Sequence, residues 1–371
     1  MTSLDTFRAD AARFITDAVA TGVACVDYGA ILAPSLFDEA RRWQRYCFDE
    51  GFAGLHWPER HGGRGLSRDH TVVWNEECAR VGVAPYLNVQ GIVLAGEALL
   101  RYGTEAQQSA LLPSTLAGDT IWCQLFSEPG AGSDLAGLGT RADADGDGFV
   151  VNGQKVWSSN ADVAHRAILL ARTSTDRSAH RGLSFFCYDM SLPGTEVRPL
   201  QQMTGDAEFC EVFLTDVSMP GDALLGELHD GWRVAMSVLE DERGSFGAAG
   251  AIRLERRLGE LAPLAAAAAG PGRDRFADLL ARGGALGHLL SRSHDDPTKA
   301  PIAKVMRSEL DNRAVAAELT AAGVGGLLDG ELADRFLYSP GMRIAGGSSE
   351  IQRNIIGERL LGLPREPRPK G

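Results

Sequence analysis

The apolar residues of this 371-residue chain change their spacing twice, near residue 120 and near residue 229. From Leu4 to Leu116 they recur every three or four residues, which is the period of a helix with one buried face. From Trp122 to about Leu225 they alternate or form short runs typical of strands, and helical spacing returns at Gly231. Because helices and strands are segregated along the chain, the sequence predicts an α+β fold rather than an alternating parallel one.

The length of the chain exceeds the size at which one hydrophobic core usually keeps growing, so several packed units are expected. The changes in spacing predict an all-α N-terminal domain over residues 1–120 and a β-domain over residues 121–228. A helical C-terminal domain is predicted over residues 229–371.

The charge balance excludes some classes of partner. The chain carries 37 basic and 49 acidic residues, a net charge of −12, which argues against nucleic acid or an anionic membrane as the main partner. No Cys-x-x-Cys pair occurs, so we expect no metal site and no disulfide framework, and we interpret the cysteines as small apolar fillers. The first residues have no apolar leader segment, and we therefore expect a cytoplasmic protein.

A glycine-rich segment, Phe126–Asp134, carries two serines, Ser127 and Ser133, in the sequence Phe-Ser-Glu-Pro-Gly-Ala-Gly-Ser-Asp. Gly130 and Gly132 can adopt positive φ and would let the backbone approach a flat ligand closely. A dinucleotide-binding fingerprint is excluded, because the third glycine is absent at its spacing and no helical run follows. By itself the segment favours an ordinary surface loop.

A second segment predicts a hairpin. Apolar residues on both sides of Asn152–Gly153 indicate two strands joined by a type I′ turn, since both central residues of that turn need positive φ. Trp157 and Ser159 would then leave the second strand on the same face, because side chains alternate along a strand. Taken alone, this segment favours the ordinary interpretation, in which Trp157 is a core aromatic and Ser159 is an exposed strand hydroxyl.

Together the two segments resemble the acyl-CoA dehydrogenase family, in which a flavin-binding loop is followed by a Trp-x-Ser/Thr strand in this order and at this spacing. Leu55–Leu66 is similar to the family's Trp-Pro…Tyr-Gly-Gly-x-Gly turn, and Gly346–Asn354 is similar to its C-terminal Gly-Thr-Ser-Glu-Ile-Gln-Arg motif. Only residues 260–300 match poorly. The resemblance implies an N-terminal helical domain, a middle β-barrel or sheet domain and a C-terminal four-helix-bundle domain.

The resemblance further implies FAD-dependent α,β-dehydrogenation of an acyl-CoA thioester to the trans-2-enoyl thioester, with electrons passed to an electron-transfer flavoprotein. It implies a homotetramer, or a heterotetramer with a related subunit. The residues that the family motifs assign to the cofactor are Phe126, Ser127, Ser133, Trp157, Ser159, Gly347, Ser348 and Glu350. Ser133 and Arg243 are assigned to the substrate.

The catalytic base requires a carboxylate next to the thioester. Much of the family places a Glu where this chain has Gly346, which cannot accept a proton. A second arrangement known in the family places the Glu immediately before an Arg on the first helix after the β-domain, and the resemblance therefore assigns the base to Glu242, before Arg243. The alternative is that the acidic run of residues 240–242 is a solvated helix surface.

One departure from the family pattern leaves other functions open. Residues 252–300 lack the Arg-x-x-Phe-Gly motif that reaches the FAD diphosphate of a neighbouring subunit, and Arg273–Ala277 matches it only in part. Some bacterial relatives, including those acting on steroid side chains, pair unlike subunits of which one type carries the base. The chain could therefore be a non-catalytic or half-site partner subunit, or a flavin oxidase that uses dioxygen.

Overall fold

The computed structural model describes residues 3–28, 32, 34–245, 247–267, 270–293, 297–328 and 330–365. Within these ranges it describes all side chains except those of residues 240–245, 247, 248, 251, 264–267, 291–293 and 297. The chain divides into two compact units, Met1–Glu242 and Arg243–Gly371.

Helices occupy the first part of the first unit, as the period of the apolar residues predicts. Ser3 begins the first helix by accepting the backbone N–H of Thr6, and the side chain of Thr104 accepts the N–H of Gln107 in a reciprocal capping box. A π-helical segment, Gln90–Ala95, precedes the fourth helix. The helices are α1 (Leu4–Ala20), α2 (Phe37–Asp49), α3 (Arg68–Val81), α4 (Gly96–Tyr102) and α5 (Glu105–Leu116).

A seven-stranded sheet follows, which confirms the predicted β-region. The strand order is β1-β4-β2-β3-β7-β6, and β5 pairs with β4. The β1–β4 and β2–β4 pairs are parallel and the other pairs are antiparallel. The strands are β1 (Trp122–Leu125), β2 (Arg141–Asp145), β3 (Gly148–Ser159), β4 (Arg166–Arg172), β5 (Leu183–Asp189), β6 (Thr195–Leu200) and β7 (Phe209–Pro220).

Both faces of the central strand β4 are buried. Ile168 and Leu170 belong to the core that the sheet shares with the N-terminal helices, whereas Ala167, Leu169 and Ala171 belong to a second core on the opposite face. This alternation follows from the two-residue period of a strand, and burial on both faces explains the uninterrupted apolar run in the sequence.

The predicted hairpin turn at Asn152–Gly153 is wrong. β3 runs without interruption from Gly148 to Ser159 and contains both residues. The register against β7 shifts at Gly153, where a Cβ would lie 2.3 Å from Thr140 Oγ1, so this glycine marks a bulge and a close approach rather than a turn. The hairpin into β3 turns at Asp145–Gly148 instead, where Gly146 has a φ of 55°.

The second unit is helical, as predicted, and has its own apolar core, which includes Leu254, Leu279, Leu286 and Leu310. The helix α8 begins at Pro271, directly after Gly270, whose φ is 55°. The helix α6 (Gly231–Ser245) spans the boundary between the two units, and those that follow are α7 (Gly247–Ala267), α8 (Pro271–Ser293), α9 (Ala300–Ala322), α10 (Glu331–Met342) and α11 (Ser349–Ile355). The domain limits at residues 120 and 228 stay predictions.

The start of α6 lies directly against strand β5. The backbone N–H of His229 donates to Ser184 Oγ at 2.8 Å, and the N–H of Leu225 donates to Phe185 O at 2.8 Å. A Cβ on Gly231 would lie 2.4 Å from the carbonyl carbon of Ser184 and 2.7 Å from the nitrogen of Phe185. Only glycine therefore allows the helix to begin this close to the sheet.

We expect Gly231→Ala to lower the free energy of unfolding by about 2 kcal/mol, because the added methyl group overlaps backbone atoms that cannot rotate away. Gly259→Ala is the matched control, since a Cβ at this exposed position of α7 meets no atom within 4 Å. The control should raise stability by about 0.5–1 kcal/mol through helix propensity. Urea unfolding of both variants checks the prediction, and equal effects of the two substitutions would contradict it.

Candidate functional site

A fully buried lysine, Lys155, connects the glycine-rich loop to the sheet. Its Nζ donates to the carbonyl of Phe126 at 3.1 Å, to the carbonyl of Leu170 at 2.9 Å and to Glu128 Oε1 at 2.9 Å. Burial lowers the pKa of Lys155 to about 8, against the opposing effect of the Glu128 carboxylate. The three acceptors satisfy all three protons of the ammonium, which is the condition for burying it.

Glu128 connects the loop to the backbone that precedes strand β2. Besides the Lys155 ammonium, its carboxylate accepts the backbone N–H groups of Gly139 at 2.6 Å and Thr140 at 2.8 Å. Burial opposes ionisation, but the charge of Lys155 and these hydrogen bonds together lower the pKa of Glu128. The ion pair therefore holds both ends of the segment between Phe126 and Thr140.

The predicted loop residues lie beside the strand that carries Trp157. Phe126 is buried, with its ring edge-on to Phe185 at 5.7 Å between centroids. Ser127 is half-buried, and its carbonyl accepts the N–H of Val156, the residue before Trp157, at 2.9 Å. Ser133 is exposed.

The two glycines of this loop do not adopt the positive φ that their sequence allows. Neither Gly130 nor Gly132 has positive φ. At both positions an added Cβ would meet no atom within 4 Å, so the missing side chains leave open space above the loop.

Trp157 has an unusual backbone and an exposed ring. Its φ is +61°, which is rare for a bulky residue, and the register against β7 shifts between Lys155 and Ser158. The residue is 59% exposed, and among the aromatic rings of the described residues its indole contacts that of Phe209, in a T-shaped arrangement with 5.8 Å between centroids. Ser158 is buried and Ser159 is half-buried. The bulge therefore presents a large apolar ring to solvent next to the loop that Lys155 holds.

The predicted C-terminal residues lie in a turn of the second unit. Gly346 and Gly347 have φ values of 65° and 90°, and a Cβ on Gly347 would lie 2.5 Å from Gln352 Nε2. Ser348 caps α11 by accepting the N–H of Ile351 at 3.3 Å, and Glu350 is exposed.

The predicted base Glu242 and the predicted substrate residue Arg243 lie near the end of α6. Their side chains lie outside the described part of the structure. Their roles stay predictions.

Sequence reasoning missed Lys155 and Glu128, although both stand inside the segments that it singled out. A usable signal was present, because Lys155 is the only cation in the apolar stretch of residues 148–159. A charged residue at such a position needs a buried partner.

Comparison with known proteins identifies the class. Residues 2–119 match the model of the acyl-CoA dehydrogenase N-terminal domain, residues 123–217 that of the middle domain and residues 229–361 that of the C-terminal domain. The chain belongs to the acyl-CoA dehydrogenase family and is an oxidoreductase acting on acyl-CoA.

Among individual proteins, the chain is 37% identical to acyl-CoA dehydrogenase IpdE1 of Mycobacterium tuberculosis, with 99% of each chain covered. The solved structure of the Tcur3481–Tcur3483 steroid acyl-CoA dehydrogenase is similar with a TM-score of 0.82 at 25% identity, covering 98% of both chains. The ChsE4–ChsE5 complex from Mycobacterium tuberculosis is similar with a TM-score of 0.78 at 26% identity, covering 99% of both chains.

Within the described residues, the helices are all too short or too polar to cross a membrane.

We expect Glu128→Gln to lower the free energy of unfolding by about 3 kcal/mol, because it leaves the buried ammonium of Lys155 without a counter-charge. Glu196→Gln is the matched control, since Glu196 pairs with Arg198 on the exposed strand β6. The control should leave the urea midpoint unchanged. The interpretation of Lys155 would be refuted by equal midpoints for wild type and Glu128→Gln.

The lowered pKa of Lys155 also predicts how stability changes with pH. Between its folded value of about 8 and its usual value of 10.5, the unfolded chain binds one more proton at this site than the folded chain. The free-energy cost of burying Lys155 therefore decreases as pH rises, by up to about 1.4 kcal/mol per pH unit. The measurement is the unfolding free energy of wild type minus that of Lys155→Met, from pH 8 to pH 10. We expect this difference to increase with pH, and a difference that stays constant or decreases would be inconsistent with the buried ammonium.

Proposed function

We propose that the protein catalyses FAD-dependent α,β-dehydrogenation of an acyl-CoA thioester to the trans-2-enoyl thioester and passes the electrons to an electron-transfer flavoprotein. Membership of the family supports an acyl-CoA oxidoreductase. The cofactor and the base are inferred from the site residues that match the family motifs, and the acceptor is inferred from the family resemblance.

The observation that carries this proposal is the indole of Trp157, which is 59% exposed on a backbone with positive φ. Such a conformation persists only where the surrounding structure enforces it, and it is typical of functional sites. Beside it, the loop containing Ser127 and Ser133 leaves open space at two glycines. We infer that a flat aromatic ligand packs against these surfaces, and FAD bound there would supply the acceptor for a hydride.

We assign roles to the chain's own residues on this basis. Phe126, Ser127 and Ser133 bind the flavin ring from the loop. Trp157 packs against this ring, and the Ser159 hydroxyl donates a hydrogen bond to it. Gly347, Ser348 and Glu350 bind the nucleotide half of the cofactor. Ser133 and Arg243 contact the acyl-CoA.

Glu242 removes the proton from the carbon next to the thioester carbonyl. A carboxylate is required for this step, and Gly346 occupies the position where much of the family carries one. The Glu-Arg pair at residues 242 and 243 matches the second family arrangement.

A hetero-oligomer is favoured by two observations. The structural relatives include the Tcur3481–Tcur3483 and ChsE4–ChsE5 pairs of unlike subunits, and residues 252–300 of this chain lack the cross-subunit Arg-x-x-Phe-Gly motif. We propose that a related subunit pairs with this chain and that the acyl group is ring-bearing, as the steroid relative suggests. The second candidate function is that of a partner subunit without a base of its own, which would be colourless when purified alone.

We expect Glu242→Gln to bind FAD as wild type does but to slow the bleaching of the flavin by acyl-CoA about 10²–10⁴-fold, the usual contribution of a general base. Glu240→Gln is the control, because it removes a neighbouring carboxylate from the same helix. Stopped-flow absorbance with a steroid-side-chain acyl-CoA and a straight-chain acyl-CoA measures the rates. Equal rates for Glu242→Gln and wild type would rule out Glu242 as the base.

A further inference from the structure

A second cation, Arg172, holds the far end of the glycine-rich loop whose near end is bonded to Lys155. Its Nη2 donates to the carbonyls of Ala136 at 2.8 Å and Leu138 at 3.1 Å. Among the described residues, its guanidinium donates to carbonyl groups and to no carboxylate. Arg172 stands two residues after Leu170 on β4, so the same strand is attached to both ends of the loop.

The two cations that anchor the loop respond differently to pH. A guanidinium stays protonated throughout the pH range in which proteins are folded, whereas an amine can lose its proton. Burial lowers the pKa of Lys155 to about 8, so this amine loses its proton in mildly alkaline solution. The loop therefore has one permanent anchor, Arg172, and one anchor that depends on pH.

Loss of the proton changes the hydrogen bonds of Lys155 as well as its charge. The ammonium donates one proton to each of three acceptors, Glu128 and the carbonyls of Phe126 and Leu170. A neutral amine keeps two donors and points a lone pair at the third acceptor, so one of the three bonds is lost. The Glu128 carboxylate also loses its counter-charge, although it keeps the two backbone N–H groups that precede β2.

Glu128 is the charged group that faces Lys155. It opposes the effect of burial on the pKa of the lysine, both by its charge and by its hydrogen bond. The neighbouring strands contribute apolar residues, since Lys155 is opposite Val212 in the register of β3 with β7 and bonds to the backbone of Leu170 on β4. Val212 and Leu170 are both fully buried. The charge state of Lys155 therefore depends chiefly on one partner.

The loop residues that bond to the ammonium, Phe126 and Glu128, lie on either side of Ser127. The Ser127 carbonyl in turn accepts the N–H of Val156 at 2.9 Å, and Trp157 is the next residue of β3. A shift of the loop would therefore change the distance between Ser127 and the indole of Trp157. These are two of the surfaces to which we assign the flavin ring.

We propose that the protonated form of Lys155 is required to hold the glycine-rich loop in the conformation that binds flavin, so that the protein releases flavin reversibly in mildly alkaline solution. Lys155 is a positioning residue, because it is fully buried and acts through Phe126 and Glu128. The inference rests on the proposed function for the identity of the ligand. It adds a dependence of cofactor affinity on pH.

The test compares four full-length proteins: wild type, Lys155→Met, Glu128→Gln and Arg172→Gln. Equilibrium dialysis with FAD and with FMN measures affinity from about pH 6 to about pH 10, the range in which a lysine of lowered pKa titrates. Far-UV circular dichroism identifies the part of this range in which each protein is folded. Lys155→Met removes the titrating group at nearly constant length, so its profile also corrects for ionisation of the flavin itself.

We expect the affinity of wild type to be constant below about pH 8 and to fall by up to about tenfold per pH unit above it, because one proton is coupled to binding. FAD and FMN should give the same profile, since they share the ring. Lys155→Met should have a flat profile and bind about as weakly as wild type does at the alkaline end.

The other two variants separate the pH-dependent anchor from the permanent one. Glu128→Gln should lose affinity at a lower pH than wild type, because the ammonium no longer has the carboxylate that favours its charge. Arg172→Gln should weaken binding at every pH and leave the midpoint of the profile where it is in wild type. A structural role of Lys155 alone would not move this midpoint.

Three results would overturn the proposal: a flat profile for wild type, the same fall with pH in wild type and Lys155→Met, or a common midpoint for wild type and a folded Glu128→Gln. Each would mean that the proton on Lys155 is not the one coupled to flavin binding.

Failure of the proposed function gives a different result. If wild type binds no flavin at any pH, hydrogen exchange of the N–H groups of Gly139 and Thr140, which bond to Glu128, tests the anchor itself. Their protection relative to the N–H of Leu225, which bonds away from the loop, should fall above about pH 8 in wild type. Constant relative protection would overturn the pH-dependent anchor too.

Discussion

The desolvation of one ammonium group is the constraint on which the proposed flavin site depends. Lys155 lies inside the sheet, where water cannot satisfy its protons, so the carbonyls of Phe126 and Leu170 and the carboxylate of Glu128 must converge on it. Because two of these three groups belong to the glycine-rich loop, burying the lysine brings the loop to the strand. The exposed indole of Trp157 lies two residues after Lys155 on the same strand. The position of the buried ammonium therefore determines the position of the ring.

Much of the fold is predictable from the spacing of apolar residues. The helical period before residue 117 and after residue 230, and the short apolar runs between, correspond to the observed helices and strands. The six cysteines are all buried, as expected of small apolar fillers. These features depend on local pattern and burial, which a sequence contains directly.

The errors have a common physical origin in tertiary packing. Asn152–Gly153 has the composition of a hairpin turn, yet β7 pairs along the whole of β3 and the glycine serves close contact with Thr140. The left-handed backbone of Trp157 was equally unpredictable, because a bulge depends on a neighbouring strand that is distant in sequence. The roles assigned to Trp157 and Ser159 came from the family resemblance and could not be reached from strand alternation alone.

The close approach of Gly231 to strand β5 has an evolutionary consequence. The sheet fixes the first residue of α6, and successive residues of an α-helix are rotated by about 100° around its axis. An insertion or deletion of one codon between positions 231 and 242 would rotate position 242, the proposed base, around the helix axis while leaving the sheet undisturbed. Natural variation in this stretch should therefore be confined to substitutions, whereas the loops between strands can change in length.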